Sequence, residues 1–215
     1  MGGWILRTFR TRSPIVMLTL LKQLIYPTIE YNSILWSPTD QSLIDLLESV
    51  QNNFLKKINS DMPPDSDYWD RLRWYKLYSL QRRRERYAII YTWKVIHNLY
   101  PNPGFHLNTI TEDHAQHPNE GILLDLDRNG LTAHHNPDLP KWLKDKCVLS
   151  RCCDLYNSLP PALRRPIKQD DEPKLDSFKT ELDKWLITIP DRPRIPSRAK
   201  VAESNSILHQ KDYKL

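Results

Sequence analysis

The densest cluster of functional side chains in this sequence is an arginine run from Arg82 to Arg86 that is interrupted only by Glu85. Residues 71–100 carry eight basic side chains and one acid. On a helix, Arg82 and Arg83 each share a face with Arg86, which lies four or three residues further on. Arginine interleaved with aromatic residues suits phosphate contact and base stacking. The run therefore predicts a nucleic-acid-binding helix. The alternative is a solvated helix face, and charges this dense should need acidic partners.

The cations that we expect to contact nucleic acid belong to this basic segment. They are Arg71, Arg73, Arg82, Arg83, Arg86 and Lys94. Two aromatic residues, Trp74 and Tyr75, lie among them. The whole chain has 31 Lys and Arg against 26 Asp and Glu, a net charge of +5. A positive net charge of this size weakly favours binding to polyanions.

Other side chains that could carry chemistry have the wrong spacing. The three cysteines form no Cys-x-x-Cys pair, and the histidines between 114 and 135 are scattered, so zinc is not expected. A magnesium-binding aspartate pair would need an apolar hairpin, whereas Asp170-Asp171 sits in a polar stretch. Glycine-rich phosphate loops and hydrolase motifs are absent from the sequence. We predict no catalytic residue, no metal and no cofactor.

Proline and capping residues divide the chain into predicted helices. Ser13-Pro14 begins one helix, Pro27 ends or kinks it, and a second runs to Trp36. Thr39 or Asp40 caps a third, whose predicted buried stripe is Leu43, Leu46, Leu47, Val50, Phe54 and Ile58. A short helix is predicted from Tyr68 to Leu77, and Ser79 opens a long one. Helical spacing returns at 175–187 through Phe178, Leu182 and Leu186.

The predicted fold is mainly α, an open helical bundle with a long irregular region and a C-terminal helix. Its segments are a lead-in (1–12), a helical bundle (13–100), an irregular loop-rich region (101–174) with a short strand pair around 121–131, a docking helix (175–189) and a basic, disordered tail (190–215).

The compartment follows from two further features. The longest apolar stretch, Ile15 to Tyr26, is interrupted by polar residues and is too short to span a bilayer. An odd count of three cysteines suits a reducing environment. We expect an intracellular protein, cytoplasmic or nuclear, with no membrane partner.

An ordered set of short motifs resembles the region after the catalytic palm in reverse transcriptases of non-LTR retrotransposons (jockey-like LINE elements). The motifs are Arg7-Thr8-Phe9-Arg10-Thr11-Arg12, Leu21-x-x-Leu24-x-x-Pro27-x-x-Glu30-Tyr31-x-Ser33-x-x-Trp36-x-Pro38, Gln51-x-x-Phe54-x-x-x-Ile58, Tyr68-Trp69-x-Arg71-Leu72 with Leu77-x-Ser79-Leu80-x-x-Arg82-Arg83-x-x-Arg86-Tyr87, Leu155-Tyr156-Asn157-Ser158-Leu159-Pro160, and Phe178-Lys179-x-x-Leu182-Asp183. Residues 105–150 match least.

The resemblance implies a thumb-like bundle that holds the RNA or RNA–DNA template–primer through its backbone, with Tyr31 and Trp36 inside. The palm, with its magnesium-binding aspartates, and the fingers are missing from this chain, which would be a fragment without polymerase activity. Another hypothesis remains: an inert or protein-binding helical remnant with no nucleic-acid role, whose exposed apolar face once met the palm.

Overall fold

The computed structural model describes residues 2–58, 61–63, 65–100, 107, 109, 121–125, 148–165, 173–193 and 204–212. Within these residues the chain is mainly helical, as predicted. The helices are α1 (Gly2–Thr8), α2 (Pro14–Leu20), α3 (Tyr26–Glu30), α4 (Ser33–Trp36), α5 (Gln41–Leu55), α6 (Tyr68–Trp74), α7 (Leu80–Ile96), α8 (Val148–Asn157), α9 (Leu175–Ile187) and α10 (Ile207–Gln210).

Two compact units divide the chain, and the division falls inside α7. Unit 1 is Met1–Arg84 with Asp191–Arg194, and unit 2 is Glu85–Pro190 with Ile195–Leu215. The sequence had predicted one bundle over 13–100. The boundary differs because the first turn of α7 bonds to residues of unit 1, whereas Trp93, further along, stacks on Phe178 with ring centroids 4.7 Å apart.

Unit 1 is built around a core of apolar side chains from α1 to α7. Its buried members are Ile5, Met17, Leu21, Ile25, Tyr26, Phe54, Leu55, Ile58, Leu72 and Leu80. Between α2 and α3 the helix widens into a π-helical turn, Leu21–Ile25, where the Tyr26 N–H donates to the Leu21 carbonyl. Pro27 lacks an N–H and would clash with the carbonyl four residues earlier, so the wider turn relieves a conflict that would otherwise break the helix.

The outer part of unit 1 differs from the prediction. Tyr31 and Trp36 were expected inside but are 75% and 42% exposed. They flank a tight turn in which Asn32 takes a left-handed conformation and the Trp36 indole N–H donates to the Tyr31 carbonyl at 2.6 Å. The turn satisfies the polar atom of the Trp36 indole locally, and both rings remain at the surface of unit 1.

Helix α5 is rotated relative to its predicted stripe. Of the two predicted caps, Thr39 and Asp40, it is Asp40 that caps the helix, accepting hydrogen bonds from the Ser42 and Leu43 N–H groups. The buried residues of the helix are Ile44, Glu48, Gln51, Phe54 and Leu55, whereas Leu43, Leu46 and Val50 are exposed. Two polar side chains occupy the inner face because of what they bind there. Glu48 accepts hydrogen bonds from the start of α7, and the Gln51 side-chain amide donates to the Tyr78 carbonyl at 3.2 Å.

Unit 2 buries apolar side chains from α7 to α10. They include Ile89, Trp93, Cys152, Cys153, Leu155, Tyr156, Phe178, Leu182, Leu186 and Ile207. The three predicted inner residues of α9 are thus buried. A reciprocal pair of hydrogen bonds, each 2.9 Å, joins the Asn157 side chain to the backbone of Leu124. Of the predicted strand pair around 121–131, residues 126–131 lie outside the described residues, and the described ones contain one isolated antiparallel bridge between Thr109 and Leu124.

The C-terminal segment also differs from the predicted disordered tail. Residues 191–193 belong to unit 1, and 204–212 contain α10 with Ile207 fully buried. The Ile207 N–H donates to Glu85 Oε2 at 2.8 Å. The single acid of residues 71–100 therefore holds the start of α10, a pairing that sequence proximity could not reveal.

Candidate nucleic-acid interface

The arginine run does not form an open cationic face. Arg82 has no exposed surface and Arg84 is 3% exposed. Arg84 Nε donates to the Ser37 hydroxyl at 3.3 Å. A guanidinium with no exposed surface cannot reach a phosphate without rearrangement, so Arg82 braces the fold. Neither side chain belongs to a solvated helix face, which was the other interpretation of the run.

Arg83 and Arg86 each bind a carboxylate of the protein through two donors, Nε and Nη2, on one edge of the guanidinium group. Arg83 pairs with Glu30, with Nη2 at 2.9 Å from Oε2 and Nε on the other oxygen. The same guanidinium lies 3.9 Å from the centroid of the Tyr26 ring. Arg86 pairs with Asp183 at 2.6 and 2.7 Å. These are the acidic partners that the charge density required, and they lie 53 and 97 residues away in sequence.

The first turn of α7 is held by two carboxylates that the sequence did not single out. Glu48, 7% exposed, accepts hydrogen bonds from the Leu80 N–H at 3.0 Å, the Gln81 N–H at 2.7 Å and the Tyr68 hydroxyl. Burial raises the pKa of Glu48, although these donors and the charge of Arg84 oppose the shift. A charged residue on the apolar side of α5 was the available clue.

The second carboxylate comes from residues 191–193, a segment that we call the strap. Asp191 accepts from both the N–H and the hydroxyl of Ser79, each at 2.7 Å. The neighbouring Arg192 Nη2 lies 2.6 Å from Asp67 Oδ2, and its Nη1 lies 3.4 Å from Asp70 Oδ1. The strap thereby joins the start of α6 to the start of α7 within unit 1.

The acids at the start of α6 are engaged by this pairing. Asp67 and Asp70 form a reciprocal capping box. Burial tends to raise the pKa of Asp67, but the Asp70 N–H and the charge of Arg192 outweigh that effect and hold the pKa below its ordinary value. The negative charge of α6 is thus concentrated in its first turn, away from the basic residues of its last turn.

Two side-chain contacts join α5 and α6, and they occur in the same order along both helices. Tyr68 meets Glu48, and one turn further along both helices the Arg71 guanidinium donates to Asn52 Oδ1 at 3.3 Å. Both members of each pair advance toward the C-terminus. Arg71 is thereby held beside Asn52 in the last turn of α5, and the C-terminal ends of both helices follow three residues later.

We call the basic side chains at these ends the α5–α6 cationic end. They are Lys56, Lys57, Arg71, Arg73 and Lys76. All are exposed except Arg71, which is half-buried, and none forms an ion pair with another residue that the structure describes. A helix C-terminus carries only about half a negative charge. Five cations exceed what two such ends neutralise, so positive charge remains at this surface.

Lys94, the last of the predicted nucleic-acid contacts, belongs to unit 2 and lies beside aromatic side chains. Its ammonium lies 5.5 Å from the centroid of the Tyr100 ring, which packs edge-on against Tyr91 at 5.1 Å. Of the predicted site residues, Arg71 and Arg73 both lie on α6, Arg71 half-buried against Asn52 and Arg73 exposed. The structure assigns Arg82, Arg83 and Arg86 to internal contacts. Lys56 and Lys57 were missed because they lie outside the basic segment of the sequence, and Lys76 lies inside that segment but was not selected.

Within the described part of the chain, no His, Cys, Asp and Glu side chains gather into a group able to hold a metal ion. The same part contains no helix with the length and apolar character needed to cross a bilayer. Cys147, the histidines at 114, 117, 134 and 135, and Asp170-Asp171 lie outside the described residues. The chain matches no family model, no curated protein and no solved structure.

Proposed function

We propose that this chain is the thumb-like, C-terminal part of a non-LTR retrotransposon reverse transcriptase that binds RNA or RNA–DNA duplex through backbone phosphates. It has no polymerase activity on its own. The proposal is supported by the motif resemblance and by one structural observation, the α5–α6 cationic end. Its cations sit on a helical scaffold that the strap and Glu48 hold in place.

The structure changes which residues should perform this role. A side chain can neutralise a phosphate only if its charge is accessible and not already satisfied. Arg73 meets that condition, and so do Lys56 and Lys57, whereas Arg83 and Arg86 already bind carboxylates. We therefore assign phosphate contact to the cationic end and a bracing role to the arginine run. Such contacts position nucleic acid without recognising its sequence.

A salt titration with matched variants tests this assignment. The test variant is Lys57→Gln/Arg73→Gln, and the control is Arg10→Gln/Lys22→Gln, which removes two exposed charges elsewhere in unit 1. Binding of a labelled RNA–DNA hybrid is measured over a range of salt concentrations. Each lost contact should lower the slope of log K against log salt by about 0.9. The test variant should lose about 1.8 in slope and the control almost nothing.

Equal losses in the two variants would mean that the charge acts without a defined site. No binding of wild type at about 50 mM salt would reject the nucleic-acid role outright, because electrostatic contacts are strongest at low salt. Template-directed nucleotide incorporation by the purified chain would contradict the absence of polymerase activity.

A second candidate function, a protein-binding helical remnant, is favoured by a different surface. Leu43, Leu46 and Val50 follow one another at helical spacing on α5 and are 51%, 65% and 39% exposed. A continuous apolar ridge of this kind is typical of a surface that another protein covers. Light scattering of wild type against Leu43→Gln/Leu46→Gln separates the two candidates. Self-association that the variant abolishes, without nucleic-acid binding, supports the remnant.

A further inference from the structure

Trp74 lies within the α5–α6 cationic end, and it is turned away from the core of unit 1. Its neighbours Leu72 and Tyr75 face inward, Leu72 being 2% exposed and Tyr75 packing against the core. Trp74 itself is 55% exposed. Its indole makes no hydrogen bond or ring contact with any residue that the structure describes.

The surroundings of this indole distinguish it from an ordinary exposed apolar residue. Single exposed hydrophobic side chains are common on protein surfaces. Trp74, however, follows Arg73 directly and stands one turn after Arg71, with Lys76 two residues further along. An exposed aromatic face bordered by cations is the arrangement by which proteins hold unpaired nucleotides, with bases stacking on the ring and phosphates on the charges.

We propose that Trp74 stacks on an unpaired base, so that the cationic end prefers nucleic acid with single-stranded nucleotides over fully paired duplex. The inference rests on the proposed function and specifies its ligand. In a blunt duplex the base faces are covered by their neighbours, and only the cations would contribute. With a single strand or an overhang, both the ring and the cations contribute.

The α5 helix supplies a matched control for this inference. Trp36 is also exposed, at 42%, and it precedes the N-terminus of α5, whereas the cationic end lies at the C-terminus of that helix. A helix of 15 residues is about 22 Å long. Trp36→Ala therefore removes an exposed indole of the same unit from the far end of the helix.

The experiment measures binding of a labelled RNA of about 12 nucleotides, single-stranded and as a blunt duplex. Trp74→Ala should weaken single-strand binding by about 5- to 150-fold with an unchanged salt slope, because stacking involves no counterion release. Trp74→Phe should retain most of the affinity, and Trp36→Ala all of it. Duplex binding should change little in any of the three. Quenching of tryptophan fluorescence by the single strand should shrink in Trp74→Phe.

Failure of this inference is distinguishable from failure of the proposed function. If Trp74→Ala binds as wild type does while Lys57→Gln/Arg73→Gln loses slope, stacking is refuted and the nucleic-acid role stands. If neither form of the RNA binds, both proposals fall. If the protein instead binds vesicles of phosphatidylserine and phosphatidylcholine, with a blue shift lost in Trp74→Phe, the surface is a membrane contact. Thermal unfolding of each variant checks that the fold is retained.

Discussion

Replacing Glu48 tests how the start of α7 is held. Its carboxylate accepts from three donors, the N–H groups of Leu80 and Gln81 and the Tyr68 hydroxyl. Glu48→Leu fills the same space but leaves the two buried N–H groups without an acceptor. Each unsatisfied buried donor costs about 1–3 kcal/mol, and the new apolar contacts recover part of that loss. We expect the free energy of unfolding to fall by about 2–4 kcal/mol.

Two gentler variants calibrate this value. Glu48→Gln keeps one oxygen acceptor and should cost less than Glu48→Leu, about 1–2 kcal/mol. Tyr68→Phe removes only the hydroxyl and should cost about 1 kcal/mol. Urea unfolding followed by circular dichroism measures all three. A Glu48→Leu protein within about 0.5 kcal/mol of wild type would show that the carboxylate does not hold the helix.

The same comparison has a defined pH dependence. Burial raises the pKa of Glu48, so the folded protein keeps the proton over a range in which the unfolded chain has lost it. The stability contributed by this titration is fully present below the ordinary pKa of 4.5 and is lost as pH rises through the folded pKa. Glu48→Gln does not titrate. Its stability relative to wild type should therefore improve as pH rises through that window, and an opposite trend would contradict the raised pKa.

Three further changes probe other contacts. Asp67→Asn should make the free energy of unfolding less sensitive to acid. The lowered pKa of Asp67 stabilises the folded protein above the pKa of the unfolded chain, and this stabilisation is lost as pH falls through the pKa of the folded protein. Acid titration of the unfolding midpoint measures the difference. Asp183→Asn should lower the free energy of unfolding by about 0.5–1 kcal/mol, because it removes the carboxylate that pairs with Arg86. In urea unfolding this loss should shrink at high salt. A loss that salt does not change would argue against an ionic contribution. Gly121→Ala should lower the free energy of unfolding by more than about 1 kcal/mol. Gly121 has φ +73°, and a Cβ added there would lie 2.8 Å from a backbone carbonyl oxygen. An unchanged midpoint of thermal unfolding would contradict this geometry.

Local pattern was sufficient to predict individual helices. The apolar spacing of 175–187 placed Phe178, Leu182 and Leu186 on one face, and all three are buried. The cap of α5 was predicted to be Thr39 or Asp40, and it is Asp40, whose side chain accepts from N–H groups two and three residues away. Interactions of this range depend on residues that are close in sequence. They can therefore be inferred from spacing alone.

The faces that become buried were decided by tertiary structure. The apolar side of α5 is wide, so the helix could bury it in more than one orientation about its axis. In the observed orientation Glu48 faces inward and accepts hydrogen bonds from the start of α7, while Leu43 is exposed. The charge of the arginine run was evident from sequence, but its partners Glu30 and Asp183 are brought close only by folding. The sequence by itself determined where charge accumulates and most helices between 14 and 96 together with α9, but it missed α1, α8 and α10. Only the tertiary structure decided which of those charges remain accessible, because neutralisation depends on distances between residues that lie far apart along the chain.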